Sequence, residues 1–199
     1  MIPKPIQNLA EVLSQLPSIG PRQAIRLAFF IANKNQGVAG ALARALLDVN
    51  LIKPCEACFR QHEKDGPLCA ICANPARNAG HLALVEKETD LVSIEKSGGF
   101  KGRYFLIGEL KRGGVLEDYQ KEKLEKLKLV IKNLPGGVAE EIIVATSPTT
   151  YGDLAASTIS RELAGYAKKI SRLGRGIPTG GEIEFVDEET MRQAIERRN

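Results

Sequence analysis

The sequence contains no tryptophan, and only 5% of its 199 residues are aromatic. A core built from this chain must therefore be mostly aliphatic. Charged residues interrupt every apolar run well before the roughly 20 residues that a membrane-spanning helix needs. The first residues after Met1 also lack the apolar core of a signal peptide. We therefore expect a cytoplasmic protein with no membrane partner.

Two chemical motifs are also missing. The chain has no Asp-x-Asp pair, which counts against a two-metal phosphoryl-transfer centre, because several carboxylates must converge on such ions. It has no G-x-x-x-x-G-K-[ST] phosphate loop, so the glycine-rich segment 172–181 is weak evidence for a nucleotide site. The apolar stretch that follows, residues 182–189, ends in acids like a Walker B strand. We favour a flexible connection there to a terminal strand and a helix from Thr190.

Positive charge is concentrated in the first quarter of the chain. Residues 1–53 contain six lysines and arginines but only two acidic residues, whereas the remaining residues contain 22 of each sign. A localised basic segment suggests a polyanionic partner such as nucleic acid. A solvated helix surface would show the same bias, so charge alone leaves both interpretations open.

The basic segment has the pattern of a helix-hairpin-helix. Apolar spacing predicts helices over residues 4–15, 22–31 and 38–50. Gly20 permits a tight turn before the second helix, whose first backbone N–H groups and dipole favour an anion such as a DNA phosphate. Arg22 and Arg26 lie one turn apart on that helix and are predicted to reach neighbouring phosphates. The alternative is a helical hairpin that only packs.

All four cysteines lie in one short stretch as two Cys-x-x-Cys pairs: Cys55, Cys58, Cys69 and Cys72. In a cytoplasmic protein such pairs favour metal or redox chemistry over disulfides. Two pairs complete a tetrahedral zinc site with no open position, whereas a redox site needs only one pair. His62, in the loop between the pairs, could compete as a ligand, but with four cysteines available we expect it at the surface. We predict one structural zinc ion per chain, which fixes the basic segment to the domain that follows.

Residues 79–199 alternate between predicted strands and helices. The strands are expected at residues 81–85, 104–107, 141–145 and 169–173, and the helices at 90–96, 117–134 and 153–166. Asp90 is the predicted N-cap of the first of these helices. This order implies a mostly parallel sheet covered on both faces. The crevice of such a sheet lies at the carboxyl ends of its strands, where Glu86 and the turn at residues 146–152 should lie close together. Glu86 is thus a candidate site acid, with a solvated strand end as the alternative.

Five segments form a specific combination in a fixed order. They are residues 16–22 (LPSIGPR) with 26–29 (RLAF), the four cysteines, 85–95 (VEKETDLVSIE), 145–149 (ATSPT) and 175–188 (RGIPTGGEIEFVDE). Together they resemble the RecR family of bacterial recombination mediator proteins over nearly the whole chain.

The resemblance implies an α+β chain of four parts. They are a helix-hairpin-helix DNA-binding head (1–53), a four-cysteine zinc module (54–78), a Toprim-like α/β domain with a mostly parallel sheet (79–174) and a C-terminal Walker-B-like segment of strand and helix (175–199). It implies a non-catalytic DNA clamp that forms dimers and ring-like tetramers. In the nucleoid, with RecO and RecF, such a clamp helps load the RecA recombinase onto single-stranded DNA. Arg22 and Arg26 match the family's basic hairpin residues, and Glu86 matches its Toprim glutamate.

The sequence departs from the family pattern in two places. Tyr151 stands where the family usually has a glutamate implicated in partner contact. Residues 109–134 carry a lysine-rich helix and lack the usual Ser-Pro-Leu. Two other function classes stay open: a Toprim-type phosphoryl-transfer enzyme related to nucleases and primases, and a zinc-stabilised interaction scaffold that does not bind DNA.

Overall fold

The computed structural model describes residues 2–34, 36–111, 113–196 and 198. The chain divides after Lys53 into two compact units, a helical one followed by an α/β one. Within the described ranges, no helix is long and apolar enough to cross a membrane.

The helical unit contains α1 (Lys4–Leu13), α2 (Pro21–Asn33), α3 (Gln36–Asp48) and a 3₁₀ turn (Val49–Leu51). Its core lies between α1 and α2, where Ile6 and Ala10 pack against Ala24 and Ala28. Small alanine side chains let the two helices approach closely. Helix α1 ends two residues earlier than predicted, because its last turn relaxes into i→i−3 hydrogen bonds before Pro17.

The α/β unit is built on one parallel sheet. Its elements are a short ribbon of β1 (Lys53–Pro54) and β2 (Gln61–His62), then β3 (Asn78–Val85), α4 (Glu88–Lys96), β4 (Gly102–Leu106), α5 (Asp118–Lys132), a 3₁₀ turn (Pro135–Gly137), β5 (Ala139–Ala145), α6 (Thr150–Glu162), β6 (Ala167–Arg172), a 3₁₀ turn (Ile183–Phe185) and α7 (Glu188–Glu196). The strand order is β4-β3-β5-β6, and each neighbouring pair is parallel. The predicted α+β class with a parallel sheet is therefore confirmed.

Alternate residues of β3 enter two different cores. Leu82 and Leu84 pack with α5 and α6 on one face of the sheet. Ala83 and Val85 pack on the other face, in a cluster that contains α4 and all four cysteines. Because successive side chains of a strand point to opposite faces, both faces of the sheet are buried. Two helices cover one face, and one helix together with the cysteine module covers the other. On α5, the predicted inner face of Leu124, Leu127 and Ile131 is buried.

Three further local predictions differ from the structure. Asp90 is the third residue of α4 rather than its N-cap, and its carboxylate accepts the backbone N–H of Lys87 at 2.9 Å. Helix α6 begins at Thr150 rather than 153, because the Thr149 hydroxyl caps it by accepting the N–H of Gly152 at 3.1 Å. The predicted terminal strand is instead the 3₁₀ turn Ile183–Phe185, since no strand pairs with it in the described part of the chain.

Candidate metal centre and nucleic-acid interface

The four cysteines converge at one point of the α/β unit. Their Sγ atoms all lie within 4.8 Å of one another, and their side chains are between 0% and 5% exposed. The Sγ atoms of Cys58 and Cys69 are 3.6 Å apart. In a tetrahedral site with Zn–S bonds of about 2.3 Å, neighbouring sulfurs lie about 3.8 Å apart, whereas a disulfide needs about 2 Å. The cluster therefore has the dimensions of a four-thiolate metal site.

Backbone N–H groups of the second Cys-x-x-Cys pair orient two of the sulfurs. The N–H of Cys69 donates to Cys55 Sγ at 3.3 Å, and the N–H of Cys72 donates to Cys69 Sγ at 3.5 Å. Phe59 follows the first pair with a φ of 62°, in the left-handed region that tightens the turn. Hydrogen bonds of this kind favour the thiolate, which is the metal-binding form of cysteine.

The thiols interact strongly with one another. Hydrogen bonds from Cys58 and Cys72 hold the pKa of Cys69 far below its usual range. Hydrogen bonding with Cys69 and Cys72, together with burial, raises the pKa of Cys58. A buried cluster that holds thiolate charge in this way is suited to a divalent cation, which replaces the shared protons. The donor set, closed and all-sulfur, fits zinc.

The cysteine module is part of the sheet's core. Cys55, Cys58, Cys69 and Cys72 share one buried cluster with Tyr104 and Leu106 of β4. The N–H of Leu106 donates to the carbonyl of Cys58 at 2.9 Å, which joins the module to the end of that strand. Phe59 packs edge-on against Phe105 with ring centroids 5.4 Å apart. A metal at the cysteines would therefore also support one face of the sheet.

His62 is half-buried, so its predicted place at the surface is wrong. Both ring nitrogens are shielded from solvent, and neither has a hydrogen-bond partner among the described residues. The ring nevertheless lies outside the group of converging ligand atoms, which contains the cysteines alone. The geometry gives His62 no place in the metal centre.

Glu86 lies where the strand order of the sheet reverses. Val85 and Ala145 are paired neighbours at the ends of β3 and β5, so Glu86 and the turn after β5 leave the sheet together. Glu86 is only 7% exposed, and its Oε1 accepts the N–H of Ser147 at 2.7 Å. The expected proximity to the turn is confirmed. The alternative of a solvated strand end is wrong, because the carboxylate is buried against a backbone donor.

A second acid at this edge is neutralised by arginine. Asp153, in the first turn of α6, accepts hydrogen bonds from Arg172 and Arg175 at its Oδ1. Arg172 also reaches the buried hydroxyl of Thr146 at 3.3 Å. Burial alone would raise the pKa of Asp153, but the two guanidinium groups outweigh it and hold that pKa below its usual value. Sequence reasoning missed this network, because nothing local links Asp153 to Arg172 at the end of a later strand or to Arg175 in the segment that follows it.

The hairpin of the helical unit differs in detail from the expectation. Gly20 has a φ of −80° and serves as the N-cap of α2, so its turn does not require glycine. Ser18 adopts the left-handed φ of 65° instead. A Cβ at Gly20 would meet no atom within 4 Å. The missing side chain therefore leaves open space above the start of α2.

Arg22 and Arg26 are both exposed on α2. Neither forms an ion pair with any of the residues that the structure describes. The first turn of α2 contains no acidic residue and begins with Pro21, which lacks an N–H. The N–H groups of Arg22 and Gln23 have no intrahelical partner in such a turn. Two exposed cationic side chains on α2 thus accompany backbone donors that have no intrahelical partner, and the anion site itself stays a prediction.

Comparison with known proteins identifies relatives of this chain. Residues 80–174 match the model of the Toprim domain, and residues 6–49 and 176–199 match models described as "RecR, helix-hairpin-helix" and "RecR, C-terminal". The recombination protein RecR of Chloroflexus aurantiacus is 36% identical over 202 residues, which cover 100% of this chain and 95% of that protein. The RecR of Roseiflexus castenholzii is 36% identical over 199 residues, with the same coverage. The RecR of Koribacter versatilis is 35% identical over 198 residues, which cover 98% of this chain and 96% of that protein. The chain belongs to the RecR family of recombination proteins.

Proposed function

We propose that this chain acts in DNA recombination and repair as a non-catalytic DNA-binding clamp. The observation that carries the proposal is the start of α2, where backbone N–H groups without an intrahelical partner lie beside two exposed arginines that form no ion pair with a described residue. The unit that contains them holds the whole excess of positive charge in the chain. The four-part division at residues 53, 78 and 174 belongs to the same proposal.

The DNA contact is a backbone phosphate at the N-terminus of α2. The helix dipole and the N–H groups of Arg22 and Gln23 attract the phosphate, and the absence of a Cβ at Gly20 lets it approach. Arg22 and Arg26 would then reach phosphates on either side. Such contacts carry no sequence information, so the clamp binds DNA irrespective of sequence.

Gly20→Ser tests this contact directly. A serine at the N-cap accepts one of the first-turn N–H groups with its own hydroxyl and so competes with the phosphate. We expect the free energy of unfolding to stay within a few tenths of a kcal/mol of the parent. DNA affinity should fall about tenfold, the cost of roughly one charge-assisted hydrogen bond. Denaturant unfolding and fluorescence anisotropy with labelled DNA measure the two effects.

The matched control is Gly37→Ser in the same unit. Gly37 lies in α3, and a Cβ there also meets no atom within 4 Å. The Gly37→Ser change should leave DNA affinity unchanged. Equal affinity in Gly20→Ser and the parent would show that no phosphate lies at the start of α2.

The metal that we assign to the four cysteines is zinc, in a structural role. Four buried thiolates leave no coordination position for a substrate. When bound, zinc supplies rigid cross-linking of the two Cys-x-x-Cys turns. The cysteines themselves hold that metal against Tyr104 and Leu106 of the sheet.

The non-catalytic part of the proposal is supported by the contacts at the sheet edge. Two-metal phosphoryl transfer needs free carboxylates that converge on cations. Here the Oε1 of Glu86 accepts the N–H of Ser147, and Asp153 is paired with two arginines. Among the described residues, the four cysteines are the one group of metal-ligating side chains that converge. Glu86 accordingly has a positioning role, holding the turn after β5.

Glu86→Gln and Glu86→Ala separate that role from cation binding. The glutamine amide oxygen still accepts the N–H of Ser147, so we expect a loss of less than about 1 kcal/mol in the free energy of unfolding. The alanine variant loses the acceptor and should be destabilised by about 1–2 kcal/mol. Denaturant unfolding with and without Mg²⁺ checks both. Magnesium-dependent DNA cleavage that Glu86→Gln abolishes would instead establish the phosphoryl-transfer class.

Partners follow from family membership and belong to the proposal. We infer that the chain forms dimers or ring-like tetramers and acts with RecO-like and RecF-like proteins in the cytoplasm, at the nucleoid. Tyr151, at the position of the usual partner-contacting glutamate, is 46% exposed at the start of α6 and remains available for contact. Sedimentation of the zinc-loaded protein with and without DNA would show whether a ring-sized assembly exists and whether DNA requires it.

A further inference from the structure

Four side chains of the helical unit form one ridge along α2 and its C-cap, Lys34. Arg22, Arg26, Phe30 and Lys34 follow one another at intervals of four residues, the spacing of neighbours on a helix surface. All four are exposed, and the Phe30 side chain is 55% exposed. The Lys34 Nζ lies 5.3 Å from the centre of the Phe30 ring. An aromatic ring thus lies within a row of three cations.

This ridge is not needed for the packing of α2. Ala24 and Ala28, which bury α2 against α1, lie two positions after Arg22 and Arg26 and hence on the opposite side of the helix. No acidic residue occurs anywhere in α2. The ridge therefore presents positive charge and an apolar ring outward together, a combination that fits a polyanion with flat apolar groups.

We propose that Phe30 stacks on an unpaired base of single-stranded DNA whose phosphates lie along Arg22, Arg26 and Lys34. This inference rests on the proposed function and adds a base-stacking contact to it. From Arg22 to Phe30 the ridge runs about 12 Å along the helix axis, so a strand held at the hairpin continues towards the ring. Aromatic stacking needs an exposed base face, which a single strand offers and a duplex conceals within its own stack.

Phe30→Leu tests the stacking contact, because leucine keeps apolar bulk without a ring. We expect affinity for a labelled oligothymidylate to fall about 5- to 100-fold at fixed salt. Affinity for duplex DNA should change less than twofold. The slope of log K against log salt should stay as in the parent, because no phosphate contact is lost. Phe30→Tyr should restore binding to the single strand.

A strand of abasic nucleotides provides the sharpest comparison, because it keeps the phosphates and removes the bases. The parent and Phe30→Leu should bind it equally. Phe29→Leu, a change of the same kind one position away on α2, should bind oligothymidylate like the parent. An equal loss on abasic and normal strands, or on duplex, would overturn the inference.

Two further outcomes separate this inference from the proposal on which it rests. If Gly20→Ser weakens binding but Phe30→Leu does not, the hairpin contact stands and the stacking contact is wrong. If Phe30→Leu lowers the sedimentation coefficient of the free protein and weakens single-strand and duplex binding alike, Phe30 is a contact between copies of the chain, and the stacking inference is again overturned.

Discussion

Removal of metal from the four cysteines should unfold the module around them and loosen one face of the parallel sheet. Structural zinc contributes on the order of 10 kcal/mol in small modules of this kind, which is as much as the whole stability of a typical domain. The sulfurs share a buried cluster with Tyr104, Leu106 and Val85, so the loss should not stay local. Without the cation, buried thiolates would repel one another or become protonated.

Chelation and Cys58→Ser measure this effect. We expect about one zinc per chain in the parent by elemental analysis and a marked fall of the unfolding temperature when a strong chelator is added. Hydrogen exchange should rise in residues 54–74 and also in β4. His62→Ala is the matched control, since His62 lies within the module but outside the ligand group. It should keep full zinc content. Unchanged unfolding after complete zinc removal would contradict a structural role.

The double change Arg22→Ala, Arg26→Ala should greatly reduce DNA retention while leaving the fold intact. Both side chains are exposed and unpaired among the described residues, so their loss costs little stability. Each phosphate contact contributes about 0.9 to the slope of log K against log salt on duplex DNA, so the slope should become shallower by about 2. Affinity at low salt should fall roughly 10- to 100-fold.

A second double variant controls for net charge. Lys4→Ala, Arg44→Ala removes the same charge from the same unit, at exposed positions on α1 and α3. It should change the slope far less than the hairpin variant does. Salt-sensitive retention that survives the Arg22, Arg26 change unaltered would favour the scaffold that does not bind DNA. Equal losses in both double variants would indicate general attraction without a defined hairpin site.

Much of the fold was predictable from local pattern. Three of the sheet's four strands (β3, β4 and β5) contain short apolar runs, and the inner face of α5 follows from the helical spacing of Leu124, Leu127 and Ile131. Helix ends were less predictable, because caps are made by single side chains such as Thr149 that compete with neighbouring candidates. The turn of the hairpin was also not predictable in detail, since Ser18 rather than Gly20 takes the left-handed conformation.

The candidate sites also differ in how far they could be predicted from local sequence pattern. The convergence of the four cysteines and the exposure of the α2 arginines could be predicted from the sequence, because each set depends on spacing within one short segment. The expectation that the metal ties the basic segment to the following domain stays a prediction. What the structure adds is that the cysteines lie in the core of the sheet.

The contacts of Glu86 and Asp153 are set only by the tertiary structure. Glu86 meets Ser147 because β3 and β5 pair in a register that aligns Val85 with Ala145, 60 positions apart in the chain. Asp153 meets Arg172 because β6 lies beside β5. Hydrogen bonds between distant segments depend on strand order and register, which no local pattern encodes. The sequence determines which residue types lie at the carboxyl ends of the strands. Only the folded sheet determines whether an acid there is free or already paired.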